Sequence, residues 1–255
     1  MRIVSLWPSI SDTISKLGLE DSIIGVTPYC LKYLKLKHRV VGGCLEVDSP
    51  KLSNLKPDIV LLEGRLQKGI AEKLMREGYS VYLIPFPRSI FGILENIILI
   101  GSILGRLTEA RRLAYEILNE LIGLKRRELA GSIYVELWLG DDIVTCGSLT
   151  YIDDMLSWIG LQNIFSDVAS EFFKPNFNHV KIRNPHLIVV NYEPYPKHRE
   201  RISNILEIFK ERGWEDMEAI KRRKVILIEE SSTVNLAHHG PSTITSTLRY
   251  LLSRS

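Results

Sequence analysis

The chain contains 255 residues, of which 45% are apolar and 25% are charged. These proportions are typical of an ordinary globular protein, and they exclude a disordered, collagen-like or coiled-coil chain. The 33 basic and 30 acidic residues leave a net charge of +3. Because the basic residues are interleaved with acidic ones, the charge pattern argues against a nucleic-acid partner.

Short apolar runs alternate with helical patterns through the first hundred residues. The runs are continuously apolar and the helices end at glycines, which is typical of parallel strands covered by helices on both faces. Residues 90–104 are also apolar, but they are fewer than the roughly 20 residues of a membrane span, so they are predicted to form a buried helix. The predicted strands are 3–6, 23–26, 59–62 and 81–84, and the other predicted helices are 11–17, 51–55 and 70–77.

A long helix is predicted over residues 108–129, where apolar residues recur every three or four positions without a proline. Strands at 133–137, 143–146, 187–190 and 225–228 and helices at 151–159, 199–212 and 241–252 are predicted to follow. Segments 52–62 and 180–190 resemble each other, each with a proline and a polar residue before a buried strand. We therefore predict an α/β lobe at 1–105, a backbone helix at 106–129 and a second α/β lobe at 130–255, with a ligand cleft between the lobes.

The start of the chain and its cysteines bear on the compartment. No secretory signal precedes the first predicted strand, which leads directly into Trp7 and Pro8. The three cysteines, Cys30, Cys44 and Cys146, are odd in number and lack C-x-x-C spacing, which favours reduced thiols. We therefore predict a cytoplasmic protein, the alternative being an exported chain whose signal has been removed.

Segments spread over nearly the whole chain resemble, in the right order, the helical-backbone (class III) ABC-type substrate-binding proteins. They are residues 2–9 (RIVSLWPS), 17–19 (LGL), 24–27 (IGVT), 55–60 (LKPDIV), 160–165 (GLQNIF), 184–189 (NPHLIV) and 240–242 (GPS). That family includes receptors for cobalamin, ferric siderophores and haem. The resemblance implies two Rossmann-like α/β lobes with parallel sheets, joined by one long helix, and a ligand cleft between them.

The resemblance also implies a function. The leading hypothesis is non-catalytic binding of a metal-bearing small molecule, namely a cobalamin-like corrinoid, a ferric siderophore or haem. The alternatives are an intracellular enzyme or a protein-interaction scaffold built on the same fold. The sequence contains no G-x-S-x-G, G-x-x-x-x-G-K-[ST], G-x-G-x-x-G or H-E-x-x-H motif, so no catalytic residue is predicted.

The ligand-binding residues are taken from positions that match cobalamin receptors. Tyr29 stands where such a receptor has a pocket tyrosine, Phe172 (or Phe173) stands near a pocket tryptophan, and Gly147 keeps a loop glycine. Cys44 and Glu63 stand in place of tryptophans, and His238 lies where the receptors have an acid–arginine pair. With Arg65, which follows a glycine after a strand, the predicted set is Tyr29, Cys44, Glu63, Arg65, Gly147, Phe172 and His238.

Several of these residues have two interpretations. His238 could lie in the cleft as a hydrogen-bonding or metal-ligating imidazole, or in a solvated loop with His239. Cys44 and Glu63 could assist a metal, or Cys44 could be a small buried hydrophobe. Tyr29 and Arg65 could contact the ligand or lie on the surface. Without close ligand spacing, no resident metal or cofactor is predicted.

The predicted partners are a small-molecule ligand and no nucleic acid, and the chain is expected to be a monomer. Exported relatives dock on an ABC permease through one exposed glutamate on each lobe. This chain has Pro50 and Asn178 at the matching positions, with Glu46, Asp48 and Glu171 nearby. A permease is thus a possible partner, but without these glutamates we expect it to bind poorly.

Overall fold

The computed structural model of the protein describes residues 1–126 and 128–254. These residues divide into two compact units. The first unit comprises residues 1–87, 91–120 and 238–242, and the second comprises residues 88–90, 121–237 and 243–254, except 127. Among the described residues, no helix is both long enough and apolar enough to cross a membrane.

The first unit contains a four-stranded sheet in the order β2-β1-β3-β4, and every strand pair in it is parallel. The strands are β1 (Ile3–Ser5), β2 (Ile23–Val26), β3 (Ile59–Glu63) and β4 (Val81–Ile84). The helices are α1 (Pro8–Lys16), α2 (Ser49–Leu55) and α3 (Lys68–Arg76), together with residues 91–103 of α4 (Ile90–Ile103) and residues 107–120 of α5 (Leu107–Leu124). Every residue of β1 and β3 is buried, as expected for parallel strands covered on both faces.

The second unit contains a six-stranded sheet in the order β10-β9-β5-β6-β8, with β7 paired to β5. The strands are β5 (Gly131–Leu139), β6 (Asp142–Cys146), β7 (Leu161–Asn163), β8 (Phe172–Phe173), β9 (Leu187–Tyr192) and β10 (Val225–Glu229). The helices are α6 (Tyr151–Trp158), α7 (Phe177–Arg183), α8 (Pro196–Ser203), α9 (Ile205–Glu211), α10 (Glu218–Lys221) and α11 (Ile244–Leu252). Strands β10, β9, β5 and β7 pair in parallel, whereas β6 and β8 are antiparallel to their neighbours.

The predicted similarity of the two halves is present in the backbone. Helix α2 ends at Lys56 with φ 44°, and helix α7 ends at Asn184 with φ 41°. Both caps are left-handed, and each is followed by a proline and then by a buried strand, β3 or β9. A left-handed cap ends a helix abruptly and satisfies its last carbonyl groups, so the same local chemistry starts a central strand in each unit.

Several predicted helices differ from the structure in their bounds, three of them for the following reasons or by the following amounts. The helix predicted over 108–129 ends at Leu124, because Arg126 donates its backbone N–H to the carbonyl oxygen of Trp158, 3.1 Å away, rather than to its own helix. Arg127, within the predicted helix, lies outside the described residues. The helix predicted over 199–212 is divided at Asn204, which caps both α8 and α9. The last helix begins at Ile244 rather than at Pro241.

Candidate functional site

The candidate site of the first unit lies where its parallel strands end. Trp7 follows β1, Tyr29 and Tyr33 lie in the 3-10 helix Pro28–Tyr33 after β2, Arg65 follows β3, and Phe86 follows β4. Since the carboxyl ends of parallel strands share one edge of the sheet, these side chains are brought to that edge, which is where open α/β sheets bind ligands. Tyr29 is 43% exposed, and the other four are half-buried. We call Trp7, Tyr29, Tyr33, Arg65 and Phe86 the carboxyl-edge surface.

A segment from near the end of the chain, residues 238–242, packs beneath this surface. It is anchored by Asp12 of α1, whose carboxylate is completely buried. Oδ2 of Asp12 accepts hydrogen bonds from Nε2 of His238 at 3.0 Å and from the backbone N–H of Ser242 at 2.9 Å. Oδ1 accepts a third from the hydroxyl of Ser242 at 2.6 Å. Hydrogen bonds to an ionised carboxylate are about twice as strong as neutral ones, so this residue fixes the segment.

Each histidine of the segment supports an aromatic side chain of the surface. The His238 ring stacks on Tyr33, with ring centroids 3.7 Å apart and planes 10° apart. The His239 ring accepts a hydrogen bond at Nε2 from Nε1 of Trp7 at 3.2 Å and packs edge-on against Phe86 at 5.3 Å. Burial, with the charges of His238 and Arg65, lowers the pKa of His239 from 6.5 to about 3. The neutral ring therefore remains able to accept from Trp7.

Gly240 lets the segment approach Asp12 closely. A Cβ atom at this position would lie 2.3 Å from Nε2 of His238 and 2.5 Å from Oδ2 of Asp12. Both distances are far inside van der Waals contact, so no other residue fits without breaking the hydrogen bond between these two groups.

Three of the predicted ligand-binding residues lie together: Arg65 is in the loop after β3, and Glu63 and Cys44 lie beside that loop. The Glu63 side chain is buried, and its carboxylate accepts from the backbone N–H groups of Arg65 and Leu66, both at 2.8 Å. Gln67 joins this loop to the carbonyl oxygen of Cys44 at 2.8 Å. The Arg65 guanidinium lies 4.8 Å from the centre of the Phe86 ring. Glu63 thus shapes the loop that carries Arg65, and the ligand contacts predicted for these residues stay predictions.

The remaining predicted residues have clear structural settings. His238 is 5% exposed, so it lies in neither a solvated loop nor an open surface. In the second unit, Gly147 donates its backbone N–H to the carbonyl oxygen of Glu171 at 2.8 Å, and a Cβ atom there would lie 2.5 Å from two carbonyl oxygens. Phe172 pairs with Cys146 between β8 and β6 and is half-buried. Their roles toward a ligand also stay predictions.

The described residues contain no group of three or more histidine, cysteine, aspartate or glutamate side chains that could hold a metal ion. Cys30 and Cys146 are buried, and burial raises the pKa of both thiols, that of Cys146 to about 12. Thiols in this state are poor metal ligands and poor nucleophiles.

The positions predicted for permease docking lie at the starts of two helices. Pro50 is exposed in the first turn of α2, after Asp48, whose carboxylate caps the helix and pairs with Lys51 at 2.9 Å. Asn178 is exposed in the first turn of α7. Of the nearby acids, Glu171 pairs with Arg88 at 3.3 Å, and Glu46 is exposed. The docking prediction itself stays untested.

The profile of the periplasmic binding protein family matches residues 3–231 of the chain. An uncharacterised ABC transporter substrate-binding lipoprotein of Bacillus subtilis, YvrC, is 26% identical over 233 residues, which cover 88% of this chain and 71% of the relative. A protein of Halobacterium salinarum described as cobalamin-binding is 24% identical over 198 residues, which cover 74% of this chain and 53% of the relative. The chain thus spans about half the length of the cobalamin-binding relative.

Solved structures of the same fold cover nearly the whole chain. The periplasmic haem-binding protein RhuT from Roseiflexus sp. RS-1 superposes with a TM-score of 0.82 and 20% identity, covering 99% of this chain and 97% of that one. The periplasmic vitamin B12 binding protein BtuF of Vibrio cholerae gives a TM-score of 0.76 and 17% identity, covering 99% and 95%. The predicted fold class, an α/β protein with parallel sheets in two lobes, is confirmed, and so is the resemblance to substrate-binding proteins.

The predicted cytoplasmic location is wrong. The matching family is one of periplasmic binding proteins, and the Bacillus subtilis relative is a lipoprotein of an ABC transporter. The prediction depended on where the sequence begins and on its unpaired cysteines. The family match outweighs both observations, and Cys30 and Cys146 are buried.

Proposed function

Because the chain belongs to the periplasmic binding protein family, we propose that it is a non-catalytic substrate-binding protein whose ligand is a metal-bearing small molecule. A cobalamin-like corrinoid is the first candidate, and haem and ferric siderophores are the others. The Halobacterium salinarum relative described as cobalamin-binding supports the corrinoid. The metal belongs to the ligand in this proposal, and no resident cofactor is part of it.

The observation that carries the proposal is the carboxyl-edge surface of the first unit. It offers aromatic rings beside one guanidinium, at the sheet edge where ligands bind. A planar macrocycle presents broad apolar faces, which stack well on aromatic rings. Its polar edge groups suit Arg65, since a guanidinium both stacks on rings and donates hydrogen bonds in its own plane.

The rigidity of the surface supports a binding role further. Asp12, His238 and His239 hold Tyr33, Trp7 and Phe86 from below, so a ligand would meet rings that are already ordered. Preorganised side chains lose less conformational entropy when a ligand binds, which strengthens binding without any further contact.

The test is a titration of the purified protein with cyanocobalamin, haemin and a ferric hydroxamate siderophore, followed by their visible absorbance. We expect one of the three to bind, and we expect Arg65→Gln or Tyr29→Ala to weaken that binding roughly tenfold, the equivalent of about 1.4 kcal/mol. The matched control is Tyr115→Ala, because Tyr115 is a 65% exposed tyrosine of α5 in the same unit. Failure of the wild-type protein to bind any of the three would refute the proposed ligand class.

A further inference from the structure

A buried histidine of the second unit, His198, has a hydrogen-bond environment that only one protonation state satisfies. It lies in the first turn of α8 and is 2% exposed. Its Nδ1 atom is 3.0 Å from the carbonyl oxygen of Glu193, and its Nε2 atom is 2.7 Å from the carbonyl oxygen of Gly140. Both ring nitrogens therefore face a backbone carbonyl.

Carbonyl oxygens only accept hydrogen bonds, so each ring nitrogen of His198 must donate for both contacts to be favourable. A neutral imidazole carries one N–H group and presents a lone pair at the other nitrogen. That lone pair would face the lone pairs of a carbonyl oxygen in a site from which water is excluded. Only the imidazolium, with two N–H groups, makes both hydrogen bonds.

The two carbonyl groups belong to different loops at the carboxyl ends of β5 and β9. Gly140 lies in the turn between β5 and β6, and Glu193 follows β9. The second loop carries Tyr195, which is 37% exposed and packs edge-on against the His198 ring at 5.7 Å. We infer that His198 is a proton-operated clamp: its imidazolium joins the 140–141 turn to the 193–195 loop, and loss of one proton releases one of these two attachments.

The charged groups around the ring are balanced. Two acids lie close, since the Glu193 carboxylate accepts from the backbone N–H of Gly140 and Asp141 is electrostatically coupled to His198. Two bases oppose them: Lys197 pairs with Asp141, and the Arg201 guanidinium lies 4.6 Å from the centre of the Trp138 ring, whose edge contacts His198. The α8 dipole also disfavours a cation in its first turn. The two carbonyl acceptors are therefore what distinguishes the charged ring, which makes both hydrogen bonds, from the neutral ring, which makes one.

The clamp goes beyond the proposed function and does not depend on it. It places a proton-dependent contact at the carboxyl edge of the second sheet, in the loop that exposes Tyr195. Protonation therefore sets whether His198 adds its own attachment between this loop and the neighbouring turn, beside the hydrogen bond from the backbone N–H of Gly140 to the Glu193 carboxylate, whatever the chain binds.

The experiment is nuclear magnetic resonance of the whole chain labelled with ¹⁵N, between pH 5 and pH 9. We expect the His198 ring to pass from two N–H groups to one, and the backbone amides of Gly140, Asp141 and Tyr195 to shift in the same transition. His198→Asn and His198→Gln each retain one side-chain N–H donor, near the positions of Nδ1 and Nε2 respectively, and neither titrates. In both variants the amide transition should vanish.

The matched control is His186→Asn, because the His186 side chain is 58% exposed in the same unit. This variant should keep the full transition at Gly140 and Tyr195. A His198 ring that holds one proton, or two, over the whole range would overturn the clamp. So would a ring that titrates while the amides of both loops stay unchanged, and these observations on the wild-type chain need no variant to fold.

Discussion

Replacing Asp12 should reveal how strongly residues 238–242 are held, and the geometry predicts different costs for two substitutions. Asp12→Ala removes three hydrogen bonds to a buried carboxylate and leaves three donors, on His238 and Ser242, without their acceptor. Breaking a buried charged interaction by removing one partner costs about 3–5 kcal/mol. We expect the free energy of unfolding to fall by about that amount.

Asp12→Asn should cost less, because the amide can keep the same contacts. Its Oδ1 can take the place of the carboxylate Oδ2 and accept from His238 and from the backbone of Ser242. Its Nδ2 then faces the Ser242 hydroxyl, which can rotate and accept instead of donating. Only the charge is lost, and a hydrogen bond to a charged group stabilises a protein by roughly 1 kcal/mol more than a neutral hydrogen bond. We expect a loss of about 1–3 kcal/mol.

The assay is urea denaturation at pH 7, followed by circular dichroism, with Glu116→Gln as the control, since Glu116 is 61% exposed on α5 of the same unit. The control should match the wild type. If Asp12→Ala also matched it, Asp12 would not anchor the segment. If Asp12→Asn cost as much as Asp12→Ala, the rotation of the Ser242 hydroxyl would be refuted.

Two further predictions concern substitutions, one at glycines of the first unit and one at the two docking positions. Gly240→Ala should lower the free energy of unfolding by about 1–3 kcal/mol, because the added methyl group overpacks the site. Gly69→Ala lies in helix α3 with open space around it and should raise the free energy of unfolding by about 0.5–1 kcal/mol. Thermal denaturation of both variants checks this difference in sign. Pro50→Glu with Asn178→Glu should strengthen capture of the chain by a cognate ABC permease in detergent, because both positions are exposed and a carboxylate there can pair with arginine. Equal capture of the variant and the wild type would contradict the docking prediction.

Much of the fold could be predicted from local pattern. Each of the eight predicted strands is present, because continuous apolar runs before turns have few other solutions in a chain of this size. The antiparallel strands β6 and β8 illustrate the limit. Strand β6 was predicted, but its direction depends on the tight turn at Gly140, and β8 is only two residues long. The end of α5 at Leu124 also lies outside local pattern, since the tertiary bond from Arg126 to Trp158 sets it.

The candidate site could be predicted only in part. The rule that ligands meet the loops after parallel strands selects Tyr29 and Arg65, and applied to β4 it would also have selected Phe86. Asp12 has no such signal, because its partner His238 is 226 positions away and nothing local marks the pair. Glu63 could not be interpreted either, since a carboxylate beside a glycine is equally suited to a ligand and to the backbone N–H groups that it binds here.

The last prediction follows from the environment of His239. Burial and two neighbouring charges lower the pKa of His239 from 6.5 to about 3, so the unfolded chain binds a proton there that the folded chain excludes. This contribution to stability is complete above pH 6.5 and is lost as the pH falls from 6.5 toward 3, with a slope of up to about 1.4 kcal/mol per pH unit. At pH 5 the expected loss is about 2 kcal/mol relative to pH 7.

Urea denaturation at both pH values measures this loss. His239→Gln should remove this part of the pH dependence of stability, while the control His186→Asn, which changes an exposed side chain, should retain it. An equal pH dependence in the wild type and in His239→Gln would show that His239 is not excluded from protonation, and the neutral acceptor for Trp7 would then be the wrong description of this contact.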